Sequence, residues 1–302
     1  MPNQPLLRLV APVLSGLLAS APATAEVFSV TPGTADRVQA LIDKVVSDGD
    51  EIVLLAGEHT VSEVLDLRGR AITLRGELDT RGEPVSRLVG QGSTGILVCR
   101  SAESSATVLA DLVVTGGDID LGAGLLVNEA SPTVRGVRFE GNLASVFGGG
   151  VGIFGATSAP VFEDCVFVAN RADLVGGGCL NGTDASPVYR DCFWQDNECG
   201  LYGRAMYNQT GSFPSLENAE TVGCCEVVPP ESFIDQGGNL IEATCDDCRA
   251  DLNCYSGVGS ADLGLLLGAW GTDLPSYDLD GDGTVGGSDI GILVGQWGAC
   301  AP

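Results

Sequence analysis

The stretch DLDGDGTVGGSD near the C-terminus has the residue types and spacing of a calcium-binding loop. Its acids Asp278, Asp280, Asp282 and Asp289 stand at loop positions 1, 3, 5 and 12, and a glycine stands at position 6. Thr284 is at position 7, which supplies a backbone carbonyl in such loops. Hard oxygens in this number suit Ca²⁺. We therefore expect these five residues to bind one calcium ion.

A related loop, DLNCYSGVGSAD, lies 27 residues upstream. It keeps Asp251, Asn253 and Asp262 at positions 1, 3 and 12, but it has Tyr255 at position 5 and Ser256 in place of the glycine. Because position 5 has lost its acidic oxygen, this loop is expected to bind calcium weakly or not at all.

A short helix is predicted after each loop, with an apolar stripe at i, i+3, i+4 and i+7. The first stripe is Leu263, Leu266, Leu267 and Trp270, and the second is Ile290, Leu293, Val294 and Trp297. Stripes of this kind predict that the two units pack face to face.

This loop–helix duplication, with Asp at position 12 and no clear helix before the loop, resembles the type I dockerin module. The resemblance covers residues 251–300 and implies a calcium-stabilised module that attaches to a cohesin-like domain on a scaffold protein or cell surface. The recognition positions would be Ser260-Ala261 and Gly287-Ser288. A bond between Cys254 and Cys300 would join the two ends of this small module.

The middle of the chain consists of repeats. Three copies align without gaps, SPTVRGVRFEGN, APVFEDCVFVAN and SPVYRDCFWQDN, and a weaker copy, FPSLENAETVGC, follows. Their prolines are 28, 27 and 27 residues apart. Three apolar columns recur: Val134, Phe162, Tyr189, Leu216; Val137, Cys165, Cys192, Ala219; and Phe139, Phe167, Trp194. Alternation of these positions with polar ones predicts short strands with one buried face.

Two polar columns indicate that successive copies stack as parallel strands. The first, Arg135, Glu163, Arg190 and Glu217, alternates in sign, so neighbouring strands attract each other. The second, Asn142, Asn170 and Asn197, closes each copy and suits a corner, since Asn tolerates left-handed backbone. Each copy is therefore predicted to be one turn of a solenoid.

These units resemble those of right-handed parallel β-helix proteins of the pectin-lyase-like group. The segment TADRVQALIDKVVSDGDEIVLLAGEHTV (34–61) is similar to the opening of that fold, in which an amphipathic helix plugs the coil. Here its apolar face would be Val38, Leu41, Ile42 and Val45, and AITLRG (71–76) resembles an early strand. The expected class is mainly β, with a β-helix over 26–244, a linker over 245–250 and the dockerin-like module over 251–302.

The resemblance also raises the question of polysaccharide cleavage. Asp164 and Asp191 share one column, with Arg190 beside them, as in a site where calcium binds a uronate and an arginine acts as base. The alternative is a column of bends with Gly136 and Asn218, residues that turns prefer. We favour the bends, and with them a non-catalytic scaffold directed at carbohydrate. The alternative function is a polysaccharide lyase or glycoside hydrolase of pectate-lyase type.

Composition limits the remaining classes of function. The chain of 302 residues has a formal charge of −25, from 40 acidic and 15 basic residues. So acidic a surface excludes nucleic acid and anionic lipid as partners. The first 25 residues read as a signal peptide ending in Ala23-Thr24-Ala25, so we expect a secreted or cell-surface protein with no membrane span after its removal. The single histidine, His59, is expected at the surface or in a cap.

The eleven cysteines suit an exported chain. Cys165 and Cys192 lie in one column, where neighbouring turns would allow either a disulfide or a stack of buried thiols. Cys224, Cys225, Cys245 and Cys248 are expected to close the far end of the coil with structural disulfides, in a pairing that the sequence leaves open.

Overall fold

The computed structural model describes residues 24–222, 227–228, 232–241, 249–252, 257–274 and 277–299. Up to residue 241 the described chain forms a parallel β-solenoid of about seven turns. A separate small unit with two helices follows near the C-terminus.

Four sheets run along the solenoid, and every strand pair in them is parallel. Sheet A contains Val27–Val30, Glu51–Leu54, Thr73–Arg75, Val108–Ala110, Thr133–Arg135, Val161–Glu163, Val188–Arg190, Ser215–Glu217 and Ile234–Asp235. Sheet B contains Gly33–Thr34, Gly57–Val61, Ser86–Gly90, Leu112–Thr115, Arg138–Glu140, Val166–Val168, Phe193–Gln195 and Glu220–Val222. Sheet C contains Leu65–Asp66, Leu97–Cys99, Leu125–Asn128, Val151–Phe154, Cys179–Asn181, Met206–Asn208 and Val227–Val228. Sheet D contains Asp118–Leu121, Leu143–Phe147, Arg171–Ala172 and Glu198–Cys199. The parallel solenoid is thus confirmed, while its right-handed sense stays a prediction.

The predicted apolar columns form the core of the coil. Phe139, Phe167 and Trp194 are register partners, and their rings stack at centroid distances of 5.3 and 4.9 Å. Phe162 and Tyr189 stack in the same way at 4.9 Å. All five side chains are fully buried. Offset-stacked rings add to the stabilisation that comes from burying their area.

The column Asn142, Asn170 and Asn197 forms a buried ladder of side-chain amides. Each Nδ2 donates to the Oδ1 of the next asparagine, at 3.0 and 3.1 Å. The left-handed residues are those one position earlier: Gly141, Ala169 and Asp196. The asparagines therefore do mark the corner, but they do so through hydrogen bonds between turns and not through their own backbone conformation.

The alternating charge column forms ion pairs on the outer face of sheet A. Arg190 lies 3.1 Å from Glu163 on one neighbouring strand and 3.3 Å from Glu217 on the other. Arg135 is the register partner of Glu163. The ladder predicted from the repeats is confirmed from Glu163 to Glu217.

Helix α1, Asp36–Lys44, packs on the first turns through Val38 and Ile42, which are fully buried, and Leu41, which is partly buried. The prediction for Val45 is wrong, because the helix ends at Lys44 and Val45 is about half exposed. Val46 is buried in its place.

His59 lies inside the coil, so the prediction of a surface or capping histidine is wrong. It belongs to the inward row of sheet B and is fully buried. One ring nitrogen, Nε2, is 2.9 Å from the carbonyl oxygen of Leu55, and the other, Nδ1, has no partner. The period-2 pattern places residue 59 inward, and this position overrides the usual preference of histidine for the surface.

Cys165 and Cys192 are buried thiols on neighbouring turns. Their Sγ atoms lie 3.3 Å from the carbonyl oxygens of Glu163 and Arg190, respectively. Of the two alternatives, the stack of thiols is therefore the one that forms. The cysteines predicted to form the other disulfides lie outside the described residues: Cys224, Cys225, Cys245, Cys248, Cys254 and Cys300.

The C-terminal unit contains helix α2, Ser260–Gly268, and helix α3, Gly287–Gly295. Gly257–Val258 pairs antiparallel with Gly298–Ala299. The unit has its own core, made of Ala250, Val258, Leu266, Ala269, Leu279, Val285 and Leu293. The three helices that the structure describes are nine residues long each, too short to cross a lipid bilayer.

Half of each predicted apolar stripe faces solvent instead of this core. Leu266 and Leu293 are fully buried, but Leu267, Trp270, Val294 and Trp297 are 51, 51, 55 and 52% exposed. The loop residues Val258, Leu279 and Val285 occupy the space next to the helices. A core this small is filled by one row from each helix, so the second row remains uncovered.

Candidate functional site

The three acids at positions 1, 3 and 5 of the second loop converge. One carboxylate oxygen each of Asp278, Asp280 and Asp282 lies within 4.8 Å of the others. The loop wraps around Asp278, whose Oδ1 accepts hydrogen bonds from the N–H groups of Gly281 at 2.9 Å and Asp282 at 3.1 Å. Its Oδ2 accepts one from the N–H of Gly283 at 2.7 Å. Glycines at 281 and 283 have positive φ, which this tight turn requires.

The other two acids are held by short-range hydrogen bonds. Asp280 Oδ1 accepts from the N–H of Asp282 at 3.0 Å, and Asp282 Oδ1 accepts from the N–H of Thr284 at 2.9 Å. Hydrogen bonds from the Ser288 hydroxyl and the Asp282 N–H lower the pKa of Asp280. Three ionised carboxylates this close repel one another, so the loop favours a multivalent cation, and oxygen ligands on a flexible loop fit Ca²⁺.

Asp289 has a different environment from the other three acids. It is fully buried in the first turn of helix α3, where its Oδ2 accepts from the N–H of Gly286 at 2.6 Å. Its Oδ1 accepts from the N–H groups of Leu279 at 2.6 Å and Asp280 at 3.2 Å. Asp289 thus links the helix to the start of the loop, and its role as a calcium ligand stays a prediction.

The first loop has the same frame without the acidic cluster. Asp262 is fully buried and accepts from the N–H of Gly259 at 2.7 Å, as Asp289 does from Gly286. Asp251 Oδ2 accepts from the N–H of Gly257 at 3.1 Å. Asn253 lies outside the described residues. No group of three acids that could hold a metal forms among the described residues of this loop.

On the solenoid, the candidates Asp164 and Asp191 lie at the single-residue bend between sheet A and sheet B. Their φ angles are 51 and 52°, and the other members of this bend column have φ values between 50 and 60°: Asp111, Gly136 and Asn218. Left-handed backbone favours Gly, Asn and Asp, so the bend itself explains these residue types.

The neighbours of these two acids are already paired. Arg190 makes ion pairs with Glu163 and Glu217, and Asp191 Oδ1 accepts a hydrogen bond from the Nδ2 of Asn218 at 3.0 Å. Within the described part of the solenoid, no three acids, histidines or cysteines come together as a metal site. The constellation of Asp164, Asp191 and Arg190 therefore offers no unpaired cation for a uronate.

The bend column contains a further acid, Asp111, that the repeat pattern did not reveal. Burial raises its pKa, and the opposing attraction of Arg135 and Arg75 only partly offsets this. Arg75, Ala110 and Arg135 are register partners on the outer face of sheet A. They are 35 and 25 residues apart, whereas the recognised copies are 27 or 28 apart, so a fixed repeat does not align them.

The fold and the C-terminal loop thus define a parallel β-solenoid protein with a duplicated acidic-loop module. No family model matches the chain, and no curated protein does. Among solved structures the chain is similar to a PL6 family alginate lyase, AlyGC, with 15% identity and a TM-score of 0.38. The match covers 72% of this chain and 40% of the lyase, so the chain spans less than half of its length.

Proposed function

We propose that this is an exported β-solenoid protein that a calcium-dependent C-terminal module attaches to a partner, with the solenoid directed at carbohydrate. The observation that supports this most directly is the convergence of Asp278, Asp280 and Asp282 to within 4.8 Å in a duplicated loop–helix unit. The N-terminal signal-type sequence is the reason to place the protein outside the cell or on its surface.

Calcium has a structural role in this proposal. Asp278, Asp280 and Asp282 would hold the ion, together with Thr284 through its backbone carbonyl and Asp289 as the closing residue. The bound ion would neutralise the repulsion between the carboxylates and fix the start of helix α3, since Asp289 already connects that helix to the loop. The first loop, lacking the acidic cluster, would contribute its fold and little calcium affinity.

The attachment surface in this proposal is the pair of exposed half-stripes. Leu267 corresponds to Val294 and Trp270 to Trp297 across the 27-residue duplication, and each is about half exposed. Exposed apolar groups that include tryptophan are typical of protein interfaces, where Trp contributes strongly to binding energy. We infer a cohesin-like protein domain as the partner, with these four side chains added to Ser260-Ala261 and Gly287-Ser288.

Calorimetry on the full chain tests the calcium part. We expect about one tight calcium site, its loss in Asp278→Ala, and its retention in Asp273→Ala, which removes an exposed acid outside the cluster. The absence of binding heat, or equal binding by Asp278→Ala and the parent protein, would refute the proposal.

Capture by a cohesin domain tests the attachment part. The calcium-loaded protein should be retained and the chelated protein should not. The double variant Trp270→Ala/Trp297→Ala should lose retention while its calcium binding is unchanged. Retention that is independent of calcium and of both tryptophans would contradict the proposed surface.

A polysaccharide lyase or glycoside hydrolase of pectate-lyase type is the second candidate. The partly buried acid Asp111 beside Arg75 and Arg135 favours it, because such a set could bind an acidic sugar. Assays on polygalacturonate, alginate and neutral glycans, with and without calcium, separate an enzyme from a scaffold. Uronate cleavage that disappears in Asp164→Ala or Asp191→Ala would restore the site predicted from the repeats.

A further inference from the structure

Four arginines surround one turn of the solenoid at the bend between sheet A and sheet B. On the outer face of sheet A the successive register partners are Arg75, Ala110 and Arg135. On the outer face of sheet B they are Arg87, Val113 and Arg138. In both columns a small or apolar residue is therefore flanked by an arginine on each side, about 4.8 Å away along the sheet. The chain has only 15 basic residues, so four at one turn is an unusual concentration.

Asp111 lies in the middle of this arrangement, directly after Ala110. Its φ is 55°, and the residues at the same bend one turn before and one turn after are Gly76 and Gly136. A Cβ placed on Gly136 would come within 2.8 Å of the Asp111 Oδ1, so the carboxylate extends over that glycine. Glycine at this position leaves the Asp111 carboxylate uncovered on the side that faces Arg135.

The sheet B half of the site is partly neutralised. Arg138 forms an ion pair with Glu140 at 2.8 Å, and Arg87 lies 4.0 Å from the same carboxylate. One glutamate thus serves two guanidinium groups, and Arg87 has the longer of the two contacts.

The sheet A half contains the unpaired cation. Arg75 makes an ion pair with Glu51, and Glu163, the register partner of Arg135, pairs with Arg190 instead. In the described structure no carboxylate lies within 4 Å of the Arg135 guanidinium, and Arg135 is exposed. The Asp111 carboxylate likewise has no hydrogen bond or ion pair within these limits among the described residues. Four guanidinium groups thus face three carboxylates, Glu51, Glu140 and Asp111, so one positive charge is in excess on a protein of net charge −25.

We propose that this bend is a binding site for an acidic sugar residue, with Arg135 and Arg75 taking its carboxylate and Asp111 bonding a neighbouring hydroxyl. Guanidinium groups match a carboxylate with two parallel hydrogen bonds. A carboxyl beside them, donating when protonated and accepting when ionised, completes the recognition of a molecule that has both a carboxylate and hydroxyls. The inference deepens the carbohydrate-directed part of the proposed function and is independent of the calcium module.

The surrounding charge limits the length of the ligand. Beyond the site the surface is strongly acidic, and exposed charges interact over about 8 Å at physiological ionic strength. A long polyuronate would bring many carboxylates against this surface, whereas a short acidic oligosaccharide places one at the site. The preferred ligand is therefore short, or carries acidic residues spaced widely among neutral ones.

Calorimetric titration of the calcium-loaded full chain tests this site, with digalacturonate, neutral digalactose and inorganic sulfate as probes. We expect binding of digalacturonate, at least about tenfold weaker binding of digalactose and sulfate, and at least about tenfold loss in Arg135→Gln, since a charged hydrogen-bonded contact is removed. Asp111→Asn should weaken digalacturonate binding less, because Asn keeps the hydrogen-bonding capacity and tolerates the left-handed bend.

Arg81→Gln is the matched control. It removes the same charge from a side chain that is 79% exposed and pairs only locally with Asp79, and it should bind like the parent chain. Equal affinity of Arg135→Gln and Arg81→Gln, or no preference for digalacturonate over digalactose or sulfate, would overturn the inference. Asp278→Ala should still bind digalacturonate, so a failure of calcium attachment and a failure of this site give different results.

Discussion

Asn170 donates a hydrogen bond from its Nδ2 to the Oδ1 of Asn197, 3.1 Å away, and so joins two successive turns inside the core. The same Nδ2 donates to the carbonyl oxygen of Phe139 at 2.9 Å. Asn170 Oδ1 accepts from the backbone N–H of Asn142 at 3.1 Å and from its Nδ2 at 3.0 Å. One buried amide thus serves the backbone and side chains of three turns.

Replacing Asn170 with Ala should therefore destabilise the solenoid strongly. The change leaves the Asn142 N–H and the Phe139 carbonyl buried without this partner, and each unsatisfied buried group costs about 1–3 kcal/mol. We expect a loss of about 3 kcal/mol or more in the free energy of unfolding, measured by denaturant titration. Gln195→Ala, on the outer face of the same turn, is the control and should change stability little. A loss no larger than that of the control would contradict the role of the ladder.

The buried thiols should be unreactive in the folded protein. Burial raises the pKa of Cys179 to about 12, against the opposing hydrogen bond from Trp194, and burial also raises the pKa of Cys192. Since only the thiolate alkylates, iodoacetamide at about pH 8 should leave Cys165, Cys179 and Cys192 unmodified until denaturant is added. Peptide mass spectrometry measures this. Labelling in the native protein, or a Cys165–Cys192 disulfide in a non-reduced digest, would show that the thiol stack is wrong.

Removing calcium should destabilise the C-terminal module alone. Calcium at about a thousandfold over its Kd would stabilise a folded module by about 4 kcal/mol. We expect a chelator to lower the thermal midpoint that is reported by the fluorescence of Trp270 and Trp297. In Asp282→Ala the midpoint should not depend on calcium. Identical midpoints for the parent chain in calcium and in chelator would argue against a structural ion.

The Asp111→Asn variant should change how stability depends on pH. Because burial raises the pKa of Asp111 above its unfolded value, the folded state binds that proton more tightly. The stabilisation from this group is complete below the unfolded pKa, near 3.8, and is lost as pH rises through the higher folded value. Asp111→Asn should therefore gain stability relative to the parent chain as pH rises from about 4 towards neutrality.

Denaturant unfolding at several pH values measures this difference. Asp196→Asn is the matched control, since Asp196 is also left-handed, with φ of 53°, but is exposed. A pH trend in Asp111→Asn that is absent or opposite in sign would contradict the burial of the Asp111 carboxyl.

The sequence predicted the solenoid well wherever the turns were equal in length. Val134, Phe162 and Tyr189 could be aligned by eye because one turn of the coil contains 27 or 28 residues there, and their burial follows from the period-2 pattern. In the earlier turns the loops vary in length. Columns such as Arg75–Ala110–Arg135 then become visible only through strand register, which is why the acid at their centre, Asp111, was missed.

The C-terminal module shows a different limit. Periodicity correctly identified the helices and the acids Asp278, Asp280 and Asp282, since spacing along the chain defines both. It placed Trp270 and Trp297 inward, because a helical stripe does not say how much core is available to cover it. In a unit of about fifty residues, that depends on the whole packing arrangement.

The alternating ion pairs of sheet A restrict how the solenoid can change in length. Removing one turn, residues 159–185, would preserve the backbone register but place Arg135 next to Arg190, two like charges on adjacent strands. Removing two turns, residues 159–212, would bring Arg135 next to Glu217 and restore attraction. The backbone thus repeats every turn, whereas the charges repeat every second turn. Turns should therefore be gained or lost most easily in pairs, so the pair is the natural unit for lengthening or shortening this coil.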